Sequence, residues 1–183
     1  MAEVLIVYGS REGHTALVAD HLRRPLETAG HIVRACPLDE APTCPVGYDL
    51  VIIGSSIHQG HHPRAVLRWI KGNAEHLNRL PSAFFQVSLS SAGAADGSSG
   101  AEHYVEAMLS ATGWRPGRVG SFAGALLYTK YGLVKRSMVR SIARSSGLGT
   151  DVRRDYDYTD YAAVAQFARD AEALLYGVSH QVV

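Results

Sequence analysis

The stretch Ser10-Arg11-Glu12-Gly13-His14-Thr15 places two hydroxyls, a guanidinium and a glycine between the apolar run Val4–Tyr8 and the start of a helical pattern. Those residue types in that order suit an oxyanion, and a phosphate above all. Gly9 lets the chain turn sharply, and Gly13 lets the backbone come close to a ligand. Ser10 and Thr15 offer O–H donors. The amides of residues 11–15 would point out of a helix N-terminus, where unpaired N–H groups and the helix dipole favour an anion. Arg11 adds positive charge, so the loop needs no lysine.

Three other loops of this kind are excluded. A Walker loop ends in Gly-Lys-Ser/Thr, and this one ends in Gly13-His14-Thr15. A dinucleotide fingerprint needs three spaced glycines and an acid about 20 residues on. Only Gly9 and Gly13 are present, and the second apolar run ends in Ala35-Cys36. A phosphoacceptor domain needs acids at the ends of strands 1 and 3, where this chain has Tyr8-Gly9 and Ile53-Gly54.

Two more stretches carry chemistry. In Gly54-Ser55-Ser56-Ile57-His58-Gln59-Gly60-His61-His62-Pro63, backbone groups can hydrogen-bond the edge of a flat ring while Ile57 or His58 packs on its face. His58, His61 and His62 lack a neighbouring Asp, Glu or Cys, and adjacent His61 and His62 point apart on any regular backbone. No metal is assigned, and His61 and His62 read as a solvated loop ahead of a helix. Ser88-Leu89-Ser90-Ser91-Ala92-Gly93 is small and polar, equally suited to closing on a ring edge through its amides and to a surface loop.

The net charge of +1 hides an asymmetry. Residues 126–154 hold seven basic residues against Asp151, a net +6, and point to an anionic partner. Within "YTKYGLVKRSMVRSIARSSG", Leu133, Val134, Met138, Val139 and Ile142 can share one side of a helix. Lys135, Arg136, Arg140 and Arg144 lie on or beside the other, with Lys130 and Tyr131 just ahead. Such a helix can lie in the interface of an anionic bilayer, and an ordinary packed amphipathic helix has the same pattern. No basic patch with interleaved aromatics occurs elsewhere, so nucleic acid is a poor fit.

The elements that must position these loops alternate strand and helix. Strands are expected at Val4–Tyr8, His31–Cys36, Leu50–Gly54, Ala83–Val87 and Arg118–Ala125. Helices are expected over 15–28, with Leu17, Val18, His21 and Leu22 at helical spacing, then from Pro63 in a first turn to Leu77, over 101–111, over the basic stretch 132–146, and from a Thr159 cap to Tyr176. Five such strands imply a parallel sheet covered on both faces, an α/β architecture. Ligands of these sheets bind outside the carboxyl ends of the strands, where the strand order reverses. The 183 residues suit a single domain, 1–183, with 46% hydrophobic and 19% charged residues. No run is long enough to span a bilayer and no leader pattern is present, so a cytoplasmic protein is expected. Cys36 and Cys44 read as free thiols of a reducing compartment.

With those loops in place, the chain resembles the flavodoxin-like FMN-binding family, and within it the menaquinone-dependent protoporphyrinogen oxidases. The resemblance rests on residues 10–15, then "IGSSIHQGHH" (53–62), "LNRLPSAFFQVSL" (77–89), "GWRPGRV" (113–119), "AGALLYTKY" (123–131) and "YTDYAAVAQFAR" (158–169), in the same order along nearly the whole chain. The 88–100 loop departs from that group in lacking basic residues, and the basic helix has fewer aromatics. The resemblance implies a three-layer sandwich with strand order 2-1-3-4-5 and a basic insertion at about 126–155. It implies FMN as cofactor, held at Ser10, Arg11, Glu12, Gly13, His14 and Thr15. Ser55, Ser56, Ile57, Gln59, Gly60 and Ser88 to Gly93 would flank the isoalloxazine. It also implies oxidation of protoporphyrinogen IX with menaquinone or another quinone as acceptor, at the inner face of the cell membrane. His58 is the candidate proton-relay residue, because histidine ordinarily titrates near neutrality. The basic residues Lys130 to Arg144 would meet the membrane or the substrate's propionates. An electron-carrying flavodoxin, an NAD(P)H:quinone reductase and a non-enzymatic binding module are the alternatives; fold alone does not separate them.

Overall fold

Along β1 (Glu3–Gly9), alternation sends Val4 and Ile6 to one face and Leu5 and Val7 to the other, and all four are fully buried. Such a strand needs a layer on both sides. A computed structural model, which describes residues 1–10, 13–57, 60–88, 101–126, 151 and 153–177, shows those layers. The elements after β1 are α1 (His14–Thr28), β2 (Ile32–Pro37), β3 (Leu50–Ser56), α2 (Arg64–Leu77), β4 (Ser82–Ser88), α3 (Ala101–Thr112) and β5 (Arg118–Ala123). Then come β6 (Ala125–Leu126), β7 (Tyr156–Asp157) and α4 (Tyr161–Ala173), with a 3-10 turn at Leu174–Tyr176.

Strands β1 to β5 form one parallel sheet in the order β2-β1-β3-β4-β5. The central strands β3 and β4 are buried at every residue, while the edge strands β2 and β5 alternate. On one face, Val4, Ile6, Ile52 and Phe85 pack against Val18, Leu22 and Leu26 of α1 and Val164, Phe167 and Ala171 of α4. On the other, Leu5, Val7, Ile53 and Phe84 meet Val66, Ile70 and Leu77 of α2, Val105 and Met108 of α3, and Trp114. Phe84 and Trp114 cross edge to face at 5.9 Å, and truncating either to alanine should cost about 3–5 kcal/mol. Cys36 and Cys44 are both free.

Several boundaries differ from the sequence reading. Helix α1 starts at His14, and Leu17 is exposed at 41%, so the buried face is Val18, Ala19, Leu22 and Leu26. Pro63 precedes the first turn of α2 as its N-cap. Strand 5 does not run to Ala125. It ends at Ala123, and β6 turns away to pair antiparallel with β7, matching Ala125 to Asp157 and Leu126 to Tyr156. Thr159 does not cap the last helix: the Asp160 carboxylate accepts from the N–H groups of Ala162 and Ala163 at 2.9 and 3.1 Å. A carboxylate beside a helix N-terminus gains from the dipole as well as from the hydrogen bonds. The basic stretch 132–146, with Lys130 and Tyr131, lies outside the described residues.

Candidate functional site at the carboxyl edge of the sheet

The sheet order reverses between β1 and β3, because β2 lies on one side of β1 and β3 on the other. Gly9 pairs in register with Ser55, Ser56 with Val87, and Ser88 with Ala123, so the turns that follow share the carboxyl edge. Gly9 is required by packing: a Cβ there would stand 2.3 Å from Val66 Cγ2 of α2.

After Gly9 the Ser10 hydroxyl accepts the Gly13 N–H at 2.9 Å and closes the turn, leaving its own O–H to donate. Gly13 sits at φ +88°, and a Cβ there would meet nothing within 4 Å. Glycine is needed here for its backbone, and the space beside it is open. The Leu17 N–H reaches the Gly13 carbonyl, so His14, Thr15 and Ala16 carry the amides that an α-helix leaves unpaired. Thr15 is 1% exposed, and no described residue hydrogen-bonds its hydroxyl. The first turn of α1 holds no acid. Arg11 and Glu12 lie outside the described residues.

The His14 side chain takes a different course from its amide. Thr159 donates its hydroxyl proton to the Ala123 carbonyl at 2.8 Å and so accepts from His14 Nε2–H at 2.7 Å. Asp157 Oδ1 lies 3.5 Å from the same nitrogen. Burial lowers the His14 pKa, and Asp157 offsets part of that. Burial also works to raise the Asp157 carboxyl, but hydrogen bonds from Tyr161 and Thr159 outweigh it and hold the group below its ordinary value. The imidazole therefore ties the start of α1 to the strand β7.

In the second loop, Ser55 and Ser56 are buried at the end of β3. Ser56 donates to the Gly9 carbonyl at 3.3 Å, and the Ile57 N–H to the Val87 carbonyl at 2.9 Å. His61 is exposed. His62 is not solvated: it is 8% exposed and packs edge-on against Phe84 at 5.6 Å. Its Nε2 faces the Tyr104 carbonyl at 3.1 Å and must carry the proton, so Nδ1 accepts from Ser55 Oγ at 2.9 Å. Burial pushes its pKa down to about 4, and the ring is neutral. Gly60 takes φ +78°, and a Cβ there would stand 3.5 Å from the Tyr104 hydroxyl, an ordinary van der Waals contact. His58 and Gln59 lie outside the described residues, as do Leu89, Ser90, Ser91, Ala92 and Gly93. Ser88 is buried at the end of β4, and its carbonyl accepts the Gly124 N–H.

Tyr104, Asp157 and Thr159 were not among the sequence candidates. Each meets the site across a long separation that no local pattern marks. Among the described residues no three His, Cys, Asp or Glu side chains cluster to hold a metal.

An anion-ready helix start at the switch point of a 2-1-3-4-5 parallel sheet is the arrangement of an α/β protein with a flavodoxin-like fold. The flavodoxin domain family matches residues 5–153. Protoporphyrinogen IX dehydrogenase (quinone) of Escherichia coli (strain K12) is 34% identical over 171 residues, 92% of this chain and 93% of that protein. The enzyme of the same name from Leishmania major is 33% identical over 93% of this chain and 74% of that protein. Flavodoxin 1 from Bacillus cereus superposes with a TM-score of 0.58 at 14% identity, covering 94% of this chain and 98% of that one. The chain belongs to the flavodoxin domain family. It is a flavoprotein oxidoreductase, and its cofactor is FMN. The described residues fit the phosphate of that cofactor: an open glycine, a buried hydroxyl that no described residue bonds, a helix N-terminus and no competing carboxylate in the first turn.

Proposed function

We propose that the chain oxidises protoporphyrinogen IX to protoporphyrin IX with a quinone as electron acceptor. The observation that carries the reading is the 34% identity, over nearly the full length of both chains, to an enzyme of that name. The substrate gives up six electrons and six protons in three two-electron steps, and three quinones leave as quinols. Bound FMN supplies the two-electron chemistry at each step. The whole chain is read as one domain.

This chain's residues do the holding and orienting. Ser10, Gly13, Thr15 and the first amides of α1 bind the phosphate, with Arg11, Glu12 and the His14 amide in the same loop. Ser55 and Ser56 brace the end of β3, so the backbone from Ile57 to Gly60 meets the ring edge from a fixed base. Residues 88–93 close the other side. His58 relays the substrate's protons. The basic stretch 130–146 brings the protein to an anionic bilayer, where the quinone is found, at the inner face of the cell membrane. Among the described residues no helix is long and apolar enough to cross that membrane.

The test is turnover of protoporphyrinogen IX by the FMN-loaded protein with a menaquinone analogue, beside a reaction with NADPH as reductant of the quinone. Porphyrin appearing in step with quinol is expected. Quinone reduction that needs NADPH and leaves the porphyrinogen untouched would overturn the reading. In a His58→Gln variant, a lost alkaline or acid limb of the pH profile with FMN retained is expected; an unchanged profile removes His58 from the proton path.

A further inference from the structure

The His14 imidazole has one nitrogen committed and one open. Nε2–H donates to Thr159 Oγ1 at 2.7 Å, with Asp157 Oδ1 at 3.5 Å. The neutral ring then carries its lone pair on Nδ1, and among the described residues no group hydrogen-bonds that atom. The residue is only 9% exposed. Two titratable groups face the ring from outside α1. One is Asp157 in β7; behind that carboxylate, Tyr161 at the start of α4 donates its hydroxyl to Oδ2. Further along α1, His21 lies against Tyr161 with the ring centroids 4.1 Å apart. Arg11 and Glu12 precede His14 in the loop, outside the described residues.

His14 is also the first residue of α1, and its amide is one of those that the helix leaves unpaired. Nδ1 is four bonds from that main-chain nitrogen and stays within about 5 Å of it. An anion held by the amide therefore stands close to the ring, in surroundings that screen charge poorly. A lone pair there is repelled by a dianion, whereas a protonated nitrogen donates to it.

We propose that His14 is a proton-linked ligand of the FMN phosphate: as the dianion binds, Nδ1 takes a proton from water, and the imidazolium is held between the phosphate and the Asp157 carboxylate. This rests on the FMN reading and adds a titrating side chain to the phosphate loop. In the free protein burial favours the neutral ring, and Asp157 offsets that only in part. The bound dianion supplies a second opposite charge, which favours the protonated ring. The ring of the complex thus titrates above that of the free protein. FMN binds more tightly at low pH and loses that gain as pH rises through the value of the complex.

The experiment is calorimetric titration of FMN into the FMN-free wild-type protein, H14Q and D157N, in two buffers of different ionisation enthalpy at about pH 7.5. Affinity is followed from about pH 6.5 to about pH 8.5. The wild type should take up part of a proton for each FMN bound, and its affinity should fall about tenfold across that range relative to H14Q. Glutamine keeps a donor and an acceptor but does not titrate, so H14Q should take up none. The second ionisation of the phosphate, near about pH 6, acts in both proteins and cancels in the comparison. D157N keeps the shape of the carboxylate without its charge and should take up less than the wild type. A wild type that takes up no proton overturns the proposal, and so does an H14Q variant that takes up as much. If H14Q does not fold, uptake in D157N equal to that of the wild type overturns it. A wild-type protein that binds no FMN at any pH instead overturns the cofactor reading, a different failure seen before any variant is made.

Discussion

His14 Nε2 and Thr159 Oγ1, 145 residues apart, lie 2.7 Å from each other and join the helix that follows the phosphate loop to the segment that returns from β7. Thr159 is the hinge of this link, since its own proton goes to the Ala123 carbonyl. Thr159→Val removes a donor and an acceptor at once, which takes the donor from the Ala123 carbonyl and leaves the imidazole N–H only the more distant Asp157 carboxylate. The expected cost is about 1–3 kcal/mol of stability, read from urea unfolding of the FMN-free protein. FMN affinity should weaken with it, because His14 is the first residue of α1, the helix whose amides are proposed to take the phosphate. Thr159→Ser, which keeps the hydroxyl, should restore most of both. Equal losses in the two variants would mean that the methyl, and not the hydrogen bonds, matters.

Acid should destabilise this fold through His62. The ring titrates near 6.5 in the unfolded chain and at about 4 in the folded one, because burial disfavours its charged form. Between those values the unfolded state binds the proton first, so stability is full above about pH 6.5 and falls as pH drops towards 4. The loss across that window is about 3 kcal/mol. His62→Gln keeps polar groups near Ser55 and the Tyr104 carbonyl without a titrating ring, so its unfolding free energy should change less between pH 7 and pH 4.5 than that of the wild type. Equal slopes in the two proteins would assign the acid sensitivity elsewhere.

The pieces that could be read from sequence are those whose cause is local. Val4–Val7 and Leu50–Ile53 announce buried parallel strands because both faces are covered, and Gly9 and Gly13 mark a turn because glycine suits it best. The pieces that could not be read depend on distant partners. His62 looks like a loop histidine until Tyr104, 42 residues away, offers its carbonyl. Strands β6 and β7 are two residues each and carry no periodicity, so the break after Ala123 was invisible. Thr159 and Asp160 are both good capping residues, and only the course of the chain past Ala123 decides that the threonine turns inward and the aspartate caps.

Gly9 is held to glycine by Val66, whose Cγ2 stands 2.3 Å from the Cβ position. Gly9→Ala must turn the Val66 side chain out of its place, push α2 away from β1 or distort the turn before Ser10, at a cost of about 1–3 kcal/mol. Val66→Ala makes room, so the double variant should lose less stability than the two single losses together. A double-mutant cycle by chemical denaturation measures that coupling, and strict additivity would show that the clash is relieved some other way.

Gly13 separates backbone from charge. At φ +88° with open space beside it, asparagine is tolerated better than most residues, with a cost of about 1 kcal/mol from the left-handed conformation. Aspartate has nearly the same shape and adds a carboxylate where the phosphate is to sit. Gly13→Asp should abolish measurable FMN binding by fluorescence quenching, while Gly13→Asn keeps it within about tenfold of wild type, or about 1.4 kcal/mol. Flavin retained by the aspartate variant would place the phosphate elsewhere.

The net charge of +6 over residues 126–154 contrasts with −5 over the rest of the chain, so the proposed attraction to an anionic surface rests on one stretch. Each basic residue near such a surface contributes about 1 kcal/mol, and four together change partitioning by roughly three orders of magnitude. Replacing Lys135, Arg136, Arg140 and Arg144 with glutamine should release the protein from vesicles rich in anionic lipid in a sedimentation assay. FMN content should stay at one per chain, because the phosphate loop is untouched. Raising the salt concentration should mimic the substitution in the wild type, since charges exposed at the surface are screened over about 10 Å at 0.1 M. Binding that survives both treatments would assign membrane contact to an apolar surface and leave the basic residues to the propionates of the substrate.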